Sequence, residues 1–148
     1  MGNTMADQNY ANHPRYVPMY HFVVLPLLLL TLIGSIVNLI QSLGDHERLY
    51  SAALILALSF AGFLAALFAR IFALKAQDRA IRTEENLRHF VLTGKLLDPR
   101  LSVMQIVALR FASDGEFVAL AQKAAQDGMK AADIKRAVRN WRADEYRA

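Results

Sequence analysis

The chain contains no cysteine among its 148 residues, which excludes disulfides, thiol catalysis and thiolate metal sites. Charged residues are also missing from two long stretches, 22–40 and 50–69. Uncharged runs of this length are rare in soluble folds. The chain has no recognisable catalytic, cofactor or metal motif either, so its sequence predicts an architecture rather than a reaction.

The two uncharged stretches are predicted to be transmembrane helices. Residues 22–40 would extend about 29 Å as a helix, close to the thickness of a bilayer core. Fourteen residues of this stretch are Leu, Ile, Val or Phe, enough to outweigh Pro26 and Asn38. Residues 50–69 are richer in alanine. We therefore expect an all-α protein that begins with a transmembrane helical hairpin.

The flanking charges predict the orientation of this hairpin. The connecting loop, 41–49, contains turn residues at Gly44 and Asp45 and one basic residue, Arg48. Five basic residues follow the second stretch within about twenty positions: Arg70, Lys75, Arg79, Arg82 and Arg88. Because cytoplasmic flanks carry the excess of Lys and Arg, both termini are predicted to be cytoplasmic and the loop external.

Small residues suggest how the helices would pack. Alanines recur at every fourth position of the second stretch, and small or polar residues are spaced along the first. These helix-interface candidates are Ala53, Ala57, Ala61, Ala65, Ala69, Gly34, Ser35 and Asn38. Such stripes are typical of close helix contacts in lipid. The alanine stripe therefore predicts either the hairpin interface or the docking site of another subunit.

Residues 1–21 are predicted to form an irregular segment at the membrane interface, because Pro14 and Pro18 interrupt it. His13 and His21 lie here without the spacing of a metal motif. Glu85 and His89 are four residues apart on a helix, but no third ligand is evident. A salt-bridged surface is the simpler interpretation, so no metal and no cofactor are predicted.

The second apolar helix is predicted to continue to about Leu92 and to end at Gly94, so 70–97 forms a membrane-proximal helix and linker. Glu84 and Arg88 have the spacing of an i,i+4 ion pair. Three shorter helices are expected in 98–148. Ser102 and Gln105 predict a capping box at the first helix, Gly128 ends the second, and the third runs from about Ala131 to Tyr146.

The last helix is basic, which raises the possibility of DNA binding through Lys135, Arg136, Arg139 and Arg142. Acidic residues on the same stretch offset them, so no nucleic acid partner is predicted. Trp141 lies between arginines, a composition enriched at interface hot spots. It is therefore the candidate partner-binding residue, and a core position is the alternative.

Four strings along the chain support a resemblance to a known family. They are QNYANHPRY followed by Val17-Pro18 and His21-Phe22, FVLTGK from Phe90, LRFASDGE from Leu109, and IKRAVRNW with Arg142-Ala143-Asp144 from Ile134. The chain resembles small bacterial two-span membrane proteins of unknown function over residues 8–147. The resemblance implies a membrane location and this fold only, and with the predicted orientation it indicates the bacterial inner membrane. Members often have Ser-Pro before the last helix, where this chain has Lys130-Ala131, which weakens the cap expected there.

Two functional hypotheses follow. The first is a non-enzymatic interaction module or accessory subunit anchored in the lipid bilayer, with a protein partner or a second copy. The alternative is a membrane enzyme or ion-handling protein that uses His13, His21, His89 and nearby carboxylates. An ionisable residue inside a span would favour the alternative, but neither predicted span contains one.

Overall fold

The computed structural model describes residues 8–10 and 16–144, and this part of the chain is helical without a β-strand. The helices are a π-helical turn at Met19–Val24, α1 at Leu25–Gln41, α2 at His46–Thr93, α3 at Val103–Leu109, α4 at Asp114–Asp127 and α5 at Ala131–Ala137. The prediction of an all-α fold is confirmed. The described residues divide into two compact units, which are 16–73 and 8–10 with 74–144.

The first apolar helix begins earlier than predicted, at Met19 instead of residue 22. Pro18 has helical backbone angles and precedes the π-helical turn. At a helix start its missing N–H leaves no hydrogen bond unmade, so this proline opens the helix instead of breaking it. Pro26 is the second residue of α1, directly after the π-helical turn. It cannot donate to a carbonyl of the preceding turn, and a π-helical turn at this point accommodates that defect.

One hydrogen bond and one close approach place the first apolar helix beside α2 within the first unit. The Tyr20 hydroxyl donates to the Ala66 carbonyl at 2.5 Å, and a methyl group placed on Gly62 would lie 3.9 Å from Leu28 Cδ2. The later residue of the first helix meets the earlier residue of α2, so the two helices run antiparallel where they touch.

The less exposed residues of both helices recur at alternating intervals of three and four. The series on the first helix is His21, Leu25, Leu28, Leu32, Ser35, Leu39 and Ser42, and the series on α2 is Leu49, Ala52, Leu56, Ser59, Phe63 and Ala66, beside which Gly62, Leu64 and Leu67 are also partly buried. This average spacing of about 3.5 residues keeps one face toward a neighbouring helix. Each of the two helices therefore has one continuous seam of less exposed residues along its length.

The predicted alanine ridge lies outside this seam, because Ala53, Ala57, Ala61, Ala65 and Ala69 are all exposed. Each step of four residues turns the stripe about 40° around the helix. Over the whole ridge the stripe therefore rotates away from any single antiparallel neighbour. The alanines are exposed within the described chain, and their role at a helix interface stays a prediction.

On the first helix Ser35 is buried, whereas Gly34 and Asn38 are exposed. The Thr31 hydroxyl donates to the Leu27 carbonyl at 2.8 Å, and the Ser35 hydroxyl donates to Leu32 at 2.7 Å. Because hydroxyls can bond the preceding turn of their own helix, these groups do not need the second helix as a partner.

The turn between the helices is shorter than predicted. Gly44 has a positive φ of 97°, a conformation that glycine adopts without steric cost. The Asp45 carboxylate accepts hydrogen bonds from the Glu47 and Arg48 amides at 3.1 and 3.3 Å. It therefore caps α2, which begins at His46 and not at Tyr50.

Local capping residues position the helices of the second unit. Helix α2 ends at Thr93, and Gly94 follows with a φ of 73°. The Ser102–Gln105 capping box is present at the start of α3, and Gly128 closes α4 in the left-handed conformation. All three predictions are confirmed. Before α3, hydrogen bonds from Arg100 lower the pKa of Asp98 to about 2.

The core of the second unit is formed mainly by α3, α4 and α5. Its largest fully buried side chains are Phe111, Phe117, Leu109 and Ile134. Besides its capping role, Gln105 donates from its side chain to the Met129 carbonyl at 2.8 Å, joining the start of α3 to the turn before α5.

The prediction of a last helix extending to Tyr146 is wrong, because α5 ends at Ala137. The Arg142 amide donates to the Phe111 carbonyl at 2.7 Å, and the Ser113 amide donates to Asn140 at 3.1 Å. These long-range bonds hold residues 138–144 outside a helix. Tyr146 itself lies outside the described residues.

The seam of less exposed residues in the first unit predicts that the same substitution has unequal effects at two neighbouring alanines of α2. Ala52 is 1% exposed, so Ala52→Leu should overpack the first unit and destabilise it by about 1–3 kcal/mol. Ala53 is exposed, so Ala53→Leu should change stability by less than about 0.5 kcal/mol. Unfolding of the full chain in detergent measures both, and equal losses would contradict the assigned seam.

Candidate functional site

The most unusual feature of the second unit is a buried ion pair on α2. The Glu85 and Arg88 side chains are 5% and 11% exposed, and Arg88 Nη1 lies 3.0 Å from Glu85 Oε2. A buried ion pair is retained only where further hydrogen bonds compensate for lost hydration. The surroundings of Arg88 provide them.

Arg88 connects α2 to the start of α4. Its Nη2 and Nε atoms lie 2.6 and 2.7 Å from Asp114 Oδ1. Its Nη2 also donates to the Ala112 carbonyl at 2.7 Å, and its guanidinium carbon lies 4.3 Å from the centroid of the Phe117 ring. The single cation thus contacts two carboxylates, a backbone carbonyl and an aromatic face.

Two more arginines extend the network toward the end of the described chain. Arg142 Nη1 lies 3.6 Å from Glu85 Oε1, and Arg110 Nε lies 3.0 Å from Asp144 Oδ2. Arg110 is 8% exposed, and its guanidinium carbon lies 4.6 Å from the Phe111 ring centroid. Three arginines thus face three carboxylates, so the formal charges of the network cancel.

A cavity of about 270 Å³ adjoins this network. Its polar lining residues are Gln77, Glu84, Glu85, Arg110, Arg142 and Asp144. The arginines that line it are also the ones bound to Glu85 and Asp144. The geometry therefore supports mutual neutralisation of these groups and not an accumulation of one charge.

Two of the four motif strings lie against each other. The Glu116 carboxylate accepts hydrogen bonds from the Arg139 and Asn140 amides at 3.1 and 3.0 Å. Ala112 and Trp141 form an isolated antiparallel β-bridge. The strings LRFASDGE and IKRAVRNW thus form one tertiary unit in this chain. Residue spacing alone had no signal for this pairing, because the partners are 23 or more positions apart.

Trp141 lies beyond α5 and not on a helical face with Ile134 and Val138. Its ring centroid is 4.8 Å from that of Phe111, and the side chain is half-buried against the core. This position gives Trp141 a packing role. Its partner-binding role stays a prediction.

The predicted charge pairs of α2 are replaced by others. Arg88 binds Glu85 and Asp114 instead of Glu84, and Glu85 turns to Arg88 and Arg142 instead of His89. Burial explains the exchange, since Glu85 is 4% exposed and a buried carboxylate requires a cation.

His21 and His89 each form hydrogen bonds to nearby residues. His89 Nδ1 lies 2.7 Å from the Lys95 carbonyl oxygen, and the Val17 amide donates to His21 Nδ1 at 3.1 Å. Within residues 8–10 and 16–144, no group of three His, Asp or Glu side chains is arranged to hold a metal. His13 lies outside the described residues.

A short segment from the start of the chain lies on this unit. The Asp144 amide donates to Gln8 Oε1 at 2.9 Å, and the Arg136 guanidinium carbon lies 5.3 Å from the Tyr10 ring centroid. The contact joins residues 136 positions apart. The sequence has no local signal for this contact and predicts a position at the membrane interface for this segment.

The burial of Glu85 generates a stability prediction. Arg88→Met should destabilise the full chain by about 3 kcal/mol or more, because Glu85 would remain buried without its closest cation. Arg82 is exposed on the same helix, so Arg82→Met should cost less than about 0.5 kcal/mol. Chemical unfolding in detergent compares the two variants, and a similar small loss in both would show that Arg88 is not a structural residue.

Comparison with known proteins finds no match among curated proteins or solved structures. Residues 5–148 match the model of a family of unknown function, DUF6526. The match includes both α1 and α2, the charge network and the paired motif strings. The chain therefore belongs to the DUF6526 family.

Proposed function

We propose that the chain is a two-span membrane protein in which α1 and the apolar part of α2 cross the bilayer. Their most apolar 18-residue windows have mean hydropathies of 2.5 and 2.4, and only 6% of each window is buried within the chain. A core helix of a soluble protein would have its apolar surface covered by other elements. Here Leu30 and Leu58 are 66% and 75% exposed, and hydrocarbon is the environment that suits them.

The contact between Gln8 and Asp144 supports a hairpin most directly. Gln8 precedes the first apolar helix and Asp144 follows the second, yet they are hydrogen-bonded at 2.9 Å. Residues in contact lie on the same side of a membrane, so the chain between them crosses an even number of times. Two apolar helices then form one hairpin.

The basic residues supply the orientation. Seven Lys and Arg residues lie in 70–100, against Arg48 alone between the spans. The positive-inside rule then places both termini and the second unit in the cytoplasm. Together with the family resemblance, this gives a multi-pass protein of the bacterial inner membrane.

The second unit is proposed to act as an interaction module or accessory subunit without catalysis of its own. Its buried ionisable groups are bound to charged partners, since Glu85 and Arg88 bind each other and Glu85 also binds the exposed Arg142. A catalytic acid or base instead has to reach the proton that it transfers to or from the substrate. The His-based alternative would require convergent ligands, whereas His21 and His89 are each bonded to nearby backbone.

Cysteine labelling tests the topology without background, since the chain has no cysteine. Asp45→Cys lies at the turn between α1 and α2, and Lys123→Cys lies at an exposed position of α4. In intact cells an impermeant maleimide should label Asp45→Cys only. Lys123→Cys should react after lysis, which serves as the control for accessibility. Labelling of Lys123→Cys in intact cells would refute the orientation.

A further inference from the structure

The part of α2 that belongs to the second unit has two contrasting faces. One face contains Ile81 and Glu85, which are 6% and 4% exposed and pack into the unit. The other contains Leu87, Phe90 and Val91, which are 62%, 51% and 75% exposed. Large apolar side chains grouped on one helix face outside the predicted spans mark an interaction surface.

The exposed face follows a regular repeat. Its residues are spaced alternately by four and three positions: Ala76, Ala80, Thr83, Leu87 and Phe90, all of them exposed. This is the spacing of a coiled-coil seam, which stays aligned along a second helix. The Thr83 hydroxyl donates to the Arg79 carbonyl at 3.1 Å, so it can enter an apolar seam without losing a hydrogen bond. We call these five residues the α2 seam.

The C-terminal end of the α2 seam opens into an apolar groove of about 700 Å³. Leu87 and Phe90 form one wall, and Leu96, Leu97 and Pro99 form the other. Leu96 is 68% exposed. The groove has room for a bulky side chain at the last layer of the seam.

We propose that the α2 seam binds the α2 seam of a second copy of this chain, as a parallel pair. The proposal rests on the proposed membrane location. Two copies inserted into one bilayer have the same orientation, so their α2 helices leave the membrane in the same direction. A two-fold axis along the membrane normal would bring the two seams together.

Charge complementarity supports this occupant. In a parallel coiled coil, a residue that flanks the core on one helix faces the residue numbered five positions later on the other helix. Charge pairs at these flanking positions set partner choice and orientation. Arg79 and Glu84 flank the α2 seam with this separation, and both are exposed. Arg79 would face Glu84 of the partner subunit, and the two-fold axis would form this pair twice. An antiparallel pair would instead bring like positions together.

Membrane confinement favours the association. Five residues per helix bury less area than stable soluble dimers usually need. Two copies held in one bilayer with matching orientation have a raised effective concentration, which allows a small interface to form. The Ala-rich N-terminal half of the seam permits close approach, and Leu87 and Phe90 supply the larger apolar contacts.

Disulfide trapping of the full chain in liposomes tests the proposal. Leu87→Cys should cross-link to a dimer under mild oxidation, whereas Arg82→Cys, exposed on another side of α2, should stay monomeric. In the Leu87→Cys background, Arg79→Glu or Glu84→Arg should weaken dimer formation by roughly tenfold or more, since each brings like charges together. The double exchange, Arg79→Glu with Glu84→Arg, should restore it.

The outcomes separate this proposal from the proposed function. If Asp45→Cys and Lys123→Cys show membrane insertion but Leu87→Cys stays monomeric, the seam proposal is overturned and the membrane assignment remains. Equal cross-linking of Leu87→Cys and Arg82→Cys would also overturn it, because random collision would then explain both. A chain that does not insert refutes the proposed function itself.

Discussion

The second unit depends on the buried guanidinium of Arg88. This group lies between Glu85 on its own helix and Asp114 at the start of α4, and it also binds the Ala112 carbonyl. Burial makes an uncompensated charge costly, so Glu85 and Arg88 require each other. The helices that follow α2 are therefore held to it by electrostatics and by the Phe117 ring below the cation.

The same arrangement explains why the strings LRFASDGE and IKRAVRNW lie against each other. Ala112 and Asp114 belong to LRFASDGE, and the backbone of this string binds the residues after α5. Glu116 accepts the Arg139 and Asn140 amides, which gives these N–H groups partners outside a helix. The match to the DUF6526 family thus includes residues that stabilise the second unit. The exposed α2 seam is then free for a contact with another molecule.

Prediction from the sequence succeeded where structure follows from nearby residues. The end of α2 at Gly94 and the capping box at Ser102 require only local chemistry. It failed where distant residues decide. Helical pattern continued past Ala137, but the Arg142 amide bonds to Phe111, and this contact overrides helix propensity.

The site was less predictable than the fold for the same reason. Spacing along α2 suggested a Glu84–Arg88 pair, whereas the second carboxylate bound by Arg88 is Asp114, 26 positions away. The spacing of four along the alanine ridge differs from the average of about 3.5 that stays aligned with a neighbouring helix, and the interface role of the ridge stays a prediction. The contact of Gln8 with Asp144 has no local signal at all.

A double-mutant cycle on Glu85 and Arg88 tests the central claim most directly. Chemical unfolding of the full chain would be measured for Glu85→Gln, Arg88→Met and the double variant. The structure predicts a coupling energy of about 1.5 kcal/mol or more, because removing both partners eliminates the unpaired buried charge. A coupling energy below about 0.3 kcal/mol would contradict the account, since the two side chains would then contribute independently.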